Sequence, residues 1–469
     1  MKTLIQNAWI VTNEDDLGDI RDGSILIEDG RITALGKDLE VPEGAEIIDA
    51  DGMIAIPGFV DAHKHLWQAA LRGVCGDLTL LGYFALVRQN YIAAYRPRDV
   101  AIGSYASAIE LIDAGTTSVL DHAHCVVSPD HADAALDGVR EAGIRGVWAY
   151  GYCPVYESEA FTRHEDRLSD ARRILKSQFG SNDGLLRMGV STTEQGLLPE
   201  ELTELEIRSA LDLDLKWTGH THCGNGRAPI TRGIYKLLRK GLINDLAILS
   251  HCNEFGFNDF VMMQEVGAHF SSSPDTELYM GIPRPVNYIE AVAAGVPVSL
   301  GTDTVSCMSA DMFATMRLAM VTARQQINAP RAATYDAVID QTLPVRDVFR
   351  WATINGARAM GIDHLVGSLR PGKRADITLI NARDLNLAPV YDPISAIVLN
   401  GRPSNVDTVM IDGVVRKRHG KLVGIDMDRL VTEIAASHAH LNSKRPAGTI
   451  DRDLSHEVER WSERLSADT

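Results

Sequence analysis

Histidines recur in this sequence at spacings suited to holding a metal ion. His63 and His65 flank Lys64, His122 and His124 flank Ala123, and His220 and His222 flank Thr221; His251 and Asp303 follow. Two imidazoles two residues apart on an extended segment point to the same side, so His63 and His65 can share one ion. Lys64 then points the other way and is a poor ligand candidate. One His-x-His is a weak signal, because core and surface histidines are common. The joint placement of these residues is the stronger one, and it depends on the elements that carry them.

Between residues 56 and 365, short β-branched runs alternate with helical patterns, the signature of βα units around a parallel sheet. Eight strands are expected: Phe59–His63, Ser118–Asp121, Gly146–Tyr150, Arg187–Ser191, Lys216–His220, Ala247–Ser250, Ala268–Ser272 and Val296–Leu300. Val100–Leu111 and Ala132–Glu141 are the clearest helices between them. Eight such repeats over about 300 residues fit an α/β fold of the (β/α)8 TIM-barrel type. An open doubly wound sheet has fewer strands, and no GxGxxG opens the region. The candidate residues follow strands 1, 2, 5, 6 and 8, where the C-terminal ends of barrel strands face the active site.

The flanks have another texture. Short strands fill the first 57 residues, with Asp29-Gly30 as a hairpin signal after Ile25–Glu28. A second short-strand region spans 366–424. Neither makes a convincing core alone, so the two are expected to form one small β-sandwich domain from both chain ends, around a barrel at 58–365. Residues 425–469 are expected to be a helical extension, packing on the barrel or on a partner subunit in a homo-oligomer.

The run Pro57-Gly58-Phe59-Val60-Asp61-Ala62-His63-Lys64-His65 resembles the strand-1 motif of the amidohydrolase superfamily. Gly115–Asp121, Leu300-Gly301-Thr302-Asp303 and Gly372–Ile377 are similar to its later signposts, and the resemblance covers nearly the whole chain. The nearest branch is the aminohydrolase and s-triazine hydrolase (chlorohydrolase) group. The resemblance implies that His63, His65, His222 and Asp303 hold one divalent ion. No lysine stands on strand 4, where binuclear members carry a bridging one, so a mononuclear site is expected. Three imidazoles and a carboxylate suit Zn2+ first, with Fe2+ or Co2+ as alternatives. Such an ion acidifies water toward neutrality. Asp303 would take the proton and pass it on, and His251 would orient the water or polarise the attacked centre.

One position departs from the pattern. Deaminases of this branch carry His-x-x-Glu after strand 5, but here His222 is followed by Cys223-Gly224-Asn225. An amide cannot shuttle a proton, though Asn225 can hydrogen-bond a substrate. Hydrolysis of an amide, urea, carbamate or lactam C–N bond in a small neutral molecule is therefore the leading expectation. Deamination or dechlorination of an N-heteroaromatic ring is the alternative. A non-catalytic binding protein derived from the same barrel is a third reading, against which the retained metal set argues. Glu194 and Glu254 are carboxyl groups that could replace the missing acid. Trp67, Gln68, Tyr83, Phe84, Glu194 and the Ser273–Met280 loop with Glu277 are expected near the substrate. For His122 and His124 a second ion, substrate contact and a structural role all stay open. His220 is expected to face a different part of the wall from His222.

Composition narrows the remaining classes. The chain has 469 residues, 46 Lys+Arg and 63 Asp+Glu, for a net charge of −17. That field repels phosphate backbones, so no nucleic-acid partner is expected, and no membrane partner either. The six cysteines are scattered without a CxxC pair and are expected to be reduced thiols. The N-terminus has no long apolar stretch, so no signal peptide is evident and a cytoplasmic protein is expected. The expected partner is a small-molecule substrate.

Overall fold

The computed structural model describes residues 2–153, 158–194, 198–221, 231–282, 287–334 and 337–445. Eight parallel strands form the barrel: β1 (Phe59–Lys64), β2 (Thr116–Ala123), β3 (Arg145–Gly151), β4 (Leu186–Ser191), β5 (Trp217–Thr221), β6 (Ala247–His251), β7 (His269–Ser272) and β8 (Val298–Leu300). Each pairs with its sequence neighbours. All six residues of β1 and all eight of β2 are buried. That continuous burial is what a parallel strand covered on both faces requires.

The barrel closes at its mouth. Lys64 bridges Asp303 in parallel register, the Asp303 N–H donates to His63 O (2.9 Å), and the His65 N–H donates to Asp303 O (3.0 Å). Gly301 permits this approach, since a Cβ there would meet His63 O at 2.6 Å. The chain ends of β1 and β8 are thereby locked together, with their histidines and aspartate side by side.

Both chain ends supply the second domain. Five strands from Lys2–Pro57 and four from Ile377–Leu422 form one continuous nine-stranded sheet. The halves join where Met53–Pro57 runs antiparallel to Ile377–Asn381. Ile5, Ile25, Ile27 and Ile32 from one end share a core with Ile377, Leu379 and Met410 from the other. Asp29 and Gly30 both have positive φ (47° and 77°), the two-residue hairpin geometry that Asp-Gly favours. The helix Met427–Ser443 lies on the barrel flank, where Ser437 Oγ donates to Asp99 (2.8 Å) and His438 Nδ1 meets Ala70 O (2.8 Å). Among the described residues, no helix is long and apolar enough to cross a membrane.

Candidate metal centre and substrate pocket

The alternation of side chains along strands decides what reaches the mouth. His63 and His65 end β1, His220 lies in β5, His251 ends β6 and Asp303 follows β8. Their ligand atoms form two overlapping groups, His63–His65–His220 and His63–His251–Asp303, with all atoms of a group within 4.8 Å of one another. His65 Nε2 lies 3.3 Å from His220 Nε2 and 3.3 Å from Asp303 Oδ1, and His63 Nε2 lies 3.6 Å from Asp303 Oδ1. His251 and Asp303 have positive φ (74° and 53°), a strained geometry for non-glycine residues that tends to concentrate at functional sites.

Partners behind the rings fix their orientation. Ser250 Oγ meets His63 Nδ1 (3.0 Å), His122 O meets His65 Nδ1 (2.9 Å), and Glu277 Oε1 meets His251 Nδ1 (2.9 Å). Each contact uses Nδ1, which turns Nε2 toward the cluster, as metal-ligating histidines require. His63 Nε2 is buried with no hydrogen-bond partner. A buried imidazole nitrogen left in this state costs free energy unless something else engages it. Protonation states agree with ligation. Burial holds His65 well below the usual histidine range and His220 down to about 4, so both are neutral. Burial alone would raise Asp303, but His63 and His65 hold its carboxyl well below the usual range. The donor set therefore fits a divalent ion.

The assignment on β5 differs from the expectation. His222 and Asn225 lie outside the described residues. His220 was expected on another part of the wall, yet it stands in the cluster. Alternation along β5 turns His220 into the barrel with the cluster.

A pocket opens over the cluster. Its floor is His65, His220, His251 and Asp303; Leu80, Tyr83, Phe84, Met280 and Ile282 form an apolar wall, and Arg88 and Glu194 a charged one. Tyr83, Phe84 and Arg88 come from the segment after β1, where Phe84–Tyr91 winds in the wide i→i+5 form. Arg88 pairs with Glu194, donates to Cys153 Sγ (2.8 Å), and sits over the Phe84 ring. Burial would raise Glu194, but Arg88 and His220 hold it well below the usual carboxylate range. It is therefore an ionised acceptor and no proton donor.

Several expected substrate contacts lie behind this wall. Trp67 donates to His124 Nδ1 (3.1 Å), and Gln68 donates to Tyr83 OH (2.8 Å) and accepts from Thr304. His122 stacks on His220 with centroids 4.2 Å apart, and His124 lies 4.1 Å from His65. Among the described residues, His122 and His124 join neither ligand group. Glu277, expected at the substrate, instead holds His251. All five are buried, and their side chains bond to or stack on residues around the cluster. Glu194 does line the pocket. Glu254 is not among the wall residues. Arg88 was missed by sequence reasoning; a lone cation after the apolar run Tyr83-Phe84-Ala85-Leu86-Val87 was its available signal.

Comparison with known proteins completes the picture. Residues 54–416 match the model of the amidohydrolase family. The chain is 31% identical over 439 residues to a 5′-deoxyadenosine deaminase of Methanothermobacter thermautotrophicus, covering 90% of this chain and 96% of that protein. It is 28% identical over 449 residues to a 5-methylthioadenosine/S-adenosylhomocysteine deaminase of Moorella thermoacetica, covering 92% and 98%. Among solved structures, a zinc-bound adenosine deaminase from Xanthomonas campestris superposes with a TM-score of 0.81 at 22% identity, covering 94% of this chain and 98% of that one. A zinc complex of atrazine chlorohydrolase from Arthrobacter aurescens gives 0.80 at 22%, covering 93% and 100%.

Proposed function

Because this chain belongs to the amidohydrolase family, we propose that it hydrolyses an amino group from a small N-heteroaromatic substrate of the adenine-nucleoside type, using one divalent ion. It is a hydrolase of carbon–nitrogen bonds other than peptide bonds. The observation that carries the proposal is the pocket itself: an apolar, aromatic wall faces a floor of imidazoles and a carboxylate. A flat ring with one polar edge matches that division. The deaminase relatives, matched over nearly their full length, support the same reading.

His63, His65, Asp303 and a β5 histidine would hold the ion. His220 stands in the described cluster, and His222 remains the candidate that the family motif favours. When bound, a divalent ion lowers the pKa of a water toward neutrality and polarises the attacked centre. Asp303 takes the proton from the attacking water and delivers it to the departing nitrogen. His251, held by Glu277, hydrogen-bonds the water or the developing charge. Tyr83, Phe84 and Met280 exclude bulk water around the ring. Zn2+ suits the donor set first.

One observation favours a second reading. Asn225 stands where the deaminase motif has Glu, and the other candidate, His220, is followed at the same spacing by Cys223. Neither Asn nor a thiol replaces the carboxyl that protonates a ring nitrogen. Hydrolysis of an amide, urea, carbamate or lactam needs only Asp303 for both proton transfers. Ammonia release across adenine nucleosides, pterins and triazines, set beside a screen of amides, ureas and carbamates, separates the two. Ammonia from a heteroaromatic amine is the expected result; turnover confined to the acyl substrates would replace the proposal with the second reading. Asn225→Glu should raise deamination at least about tenfold if that position limits proton delivery.

A further inference from the structure

Cys75 and Cys307 lie in the two loops that leave β1 and β8, outside the residues that line the pocket. The loops run together: the Cys75 N–H donates to Ser306 O (3.0 Å), and the Gly73 N–H donates to Val305 O (3.3 Å). A backbone bond to the residue before Cys307 brings the two cysteine-bearing loops side by side. The Cys75 and Cys307 side chains lie against each other, and Ser306 Oγ lies 3.7 Å from Cys307 Sγ. Cys75 is buried and Cys307 partly exposed, so a small oxidant has one thiol to reach. The five described cysteines are free thiols, and neither member of this pair has a part in the proposed chemistry.

We propose that Cys75 and Cys307 are a redox-modification site that closes into an intramolecular disulfide. With a peroxide as oxidant, one thiol attacks an oxygen, becomes a sulfenic acid and releases one water. The second thiol then displaces hydroxide from that sulfur, which leaves as the second water when protonated. The two thiols lose two electrons and two protons in all, and the peroxide gains them. The bond would join the loops on either side of the barrel seam. Both lead to pocket residues: the first runs on to Leu80, Tyr83 and Arg88, and the second begins with Thr304. Tyr279 OH already anchors the first loop through Cys75 O (2.8 Å) and Gly76 O, and the Leu80 N–H donates to Met280 O (3.2 Å). A covalent tie at Cys75 would complete that anchorage and hold the pocket wall in place.

The test is peptide mapping of the full chain after brief exposure to stoichiometric hydrogen peroxide, with alkylation of remaining thiols and no reductant. The expected product is a Cys75–Cys307 linked peptide, about 2 Da lighter than its parts, lost on adding dithiothreitol. The cross-linked protein should melt a few degrees higher than the reduced one, since the bond restricts the unfolded chain. Cys75→Ser and Cys307→Ser should each abolish both the cross-link and the melting shift. Full alkylation of both cysteines after oxidation, or separate over-oxidation of each without a link, would overturn the proposal. A cross-link that leaves the melting temperature unchanged would overturn the claim that the bond constrains the chain.

Discussion

The two ends of the barrel treat buried charge in opposite ways. At the base, where β3 begins, Arg145 forks onto Asp376 (2.8 and 3.0 Å) and reaches Asp412 (2.8 Å), while the Asp412 N–H donates back to Asp376 (2.9 Å). Arg145, Asp376 and Asp412 all find partners there, and the network ties the barrel to the sheet built from the chain ends. At the mouth, six histidines crowd around Asp303, and His63 Nε2, His122 Nδ1 and His124 Nε2 have no hydrogen-bond partner. A satisfied network holds a fold, whereas a converging, undersatisfied one is prepared for a ligand. What differs between the two ends is whether the polar groups find their partners within the chain.

Removing the central carboxylate at the mouth should break function and spare the fold. Asp303→Ala is expected to lower kcat/KM by about 10⁴-fold, because it removes a ligand and the proton carrier together. Circular dichroism and melting should stay near wild type; a mere tenfold loss of kcat/KM would contradict the role. The matching change at the base should do the reverse. Arg145→Ala leaves Asp376 buried without its partner and should cost about 3–5 kcal/mol of stability by denaturant unfolding. Metal content of the folded fraction should not change. A stability loss under about 1 kcal/mol would mean that the base is no more tightly built than the mouth.

A third region sharpens the contrast because it is buried and polar, yet lies beside the pocket. Glu206 accepts from the Thr193 N–H and hydroxyl (both 2.8 Å), fixing the chain just before Glu194. Burial pushes Glu206 up to about 8 and its neighbour His164 down to about 4, so both are neutral near pH 7. For an acid raised in the folded state, the stabilisation is whole below the unfolded value near 4.5 and is lost as pH rises through 8. Melting should therefore fall between pH 6 and 9 by an amount equivalent to about 1–3 kcal/mol, and Glu206→Gln should flatten that fall. An unchanged slope in the variant would remove Glu206 from the account. The smallest effect is expected behind the cluster: His122→Asn should change activity by about 10-fold and leave metal content unchanged. Loss of a metal equivalent would place His122 among the ligands.

The barrel was legible because parallel strands must be buried on both faces, which leaves uninterrupted apolar runs between helices. The ends of those runs located His63, His65, His251 and Asp303 before any geometry. The Asp29-Gly30 turn was legible because few residue pairs accept positive φ twice. Side-chain direction within loops was not legible. Trp67 and Gln68 follow β1 on the correct loop, but whether they face the pocket or the helix behind it depends on packing from distant segments. Arg88 was hidden for the same reason, since its partner Glu194 comes from the segment after β4. His220 was misplaced by an inconsistency that the period of two could have prevented.

Metal content per chain, measured on the purified protein and on His63→Ala, tests the central claim most directly. About one equivalent of a divalent ion in the wild type, falling to near background in the variant with the fold retained, is the predicted result. A wild-type enzyme that turns over substrate without bound metal after exhaustive chelation would contradict the account. So would a His63→Ala variant that keeps its full metal equivalent.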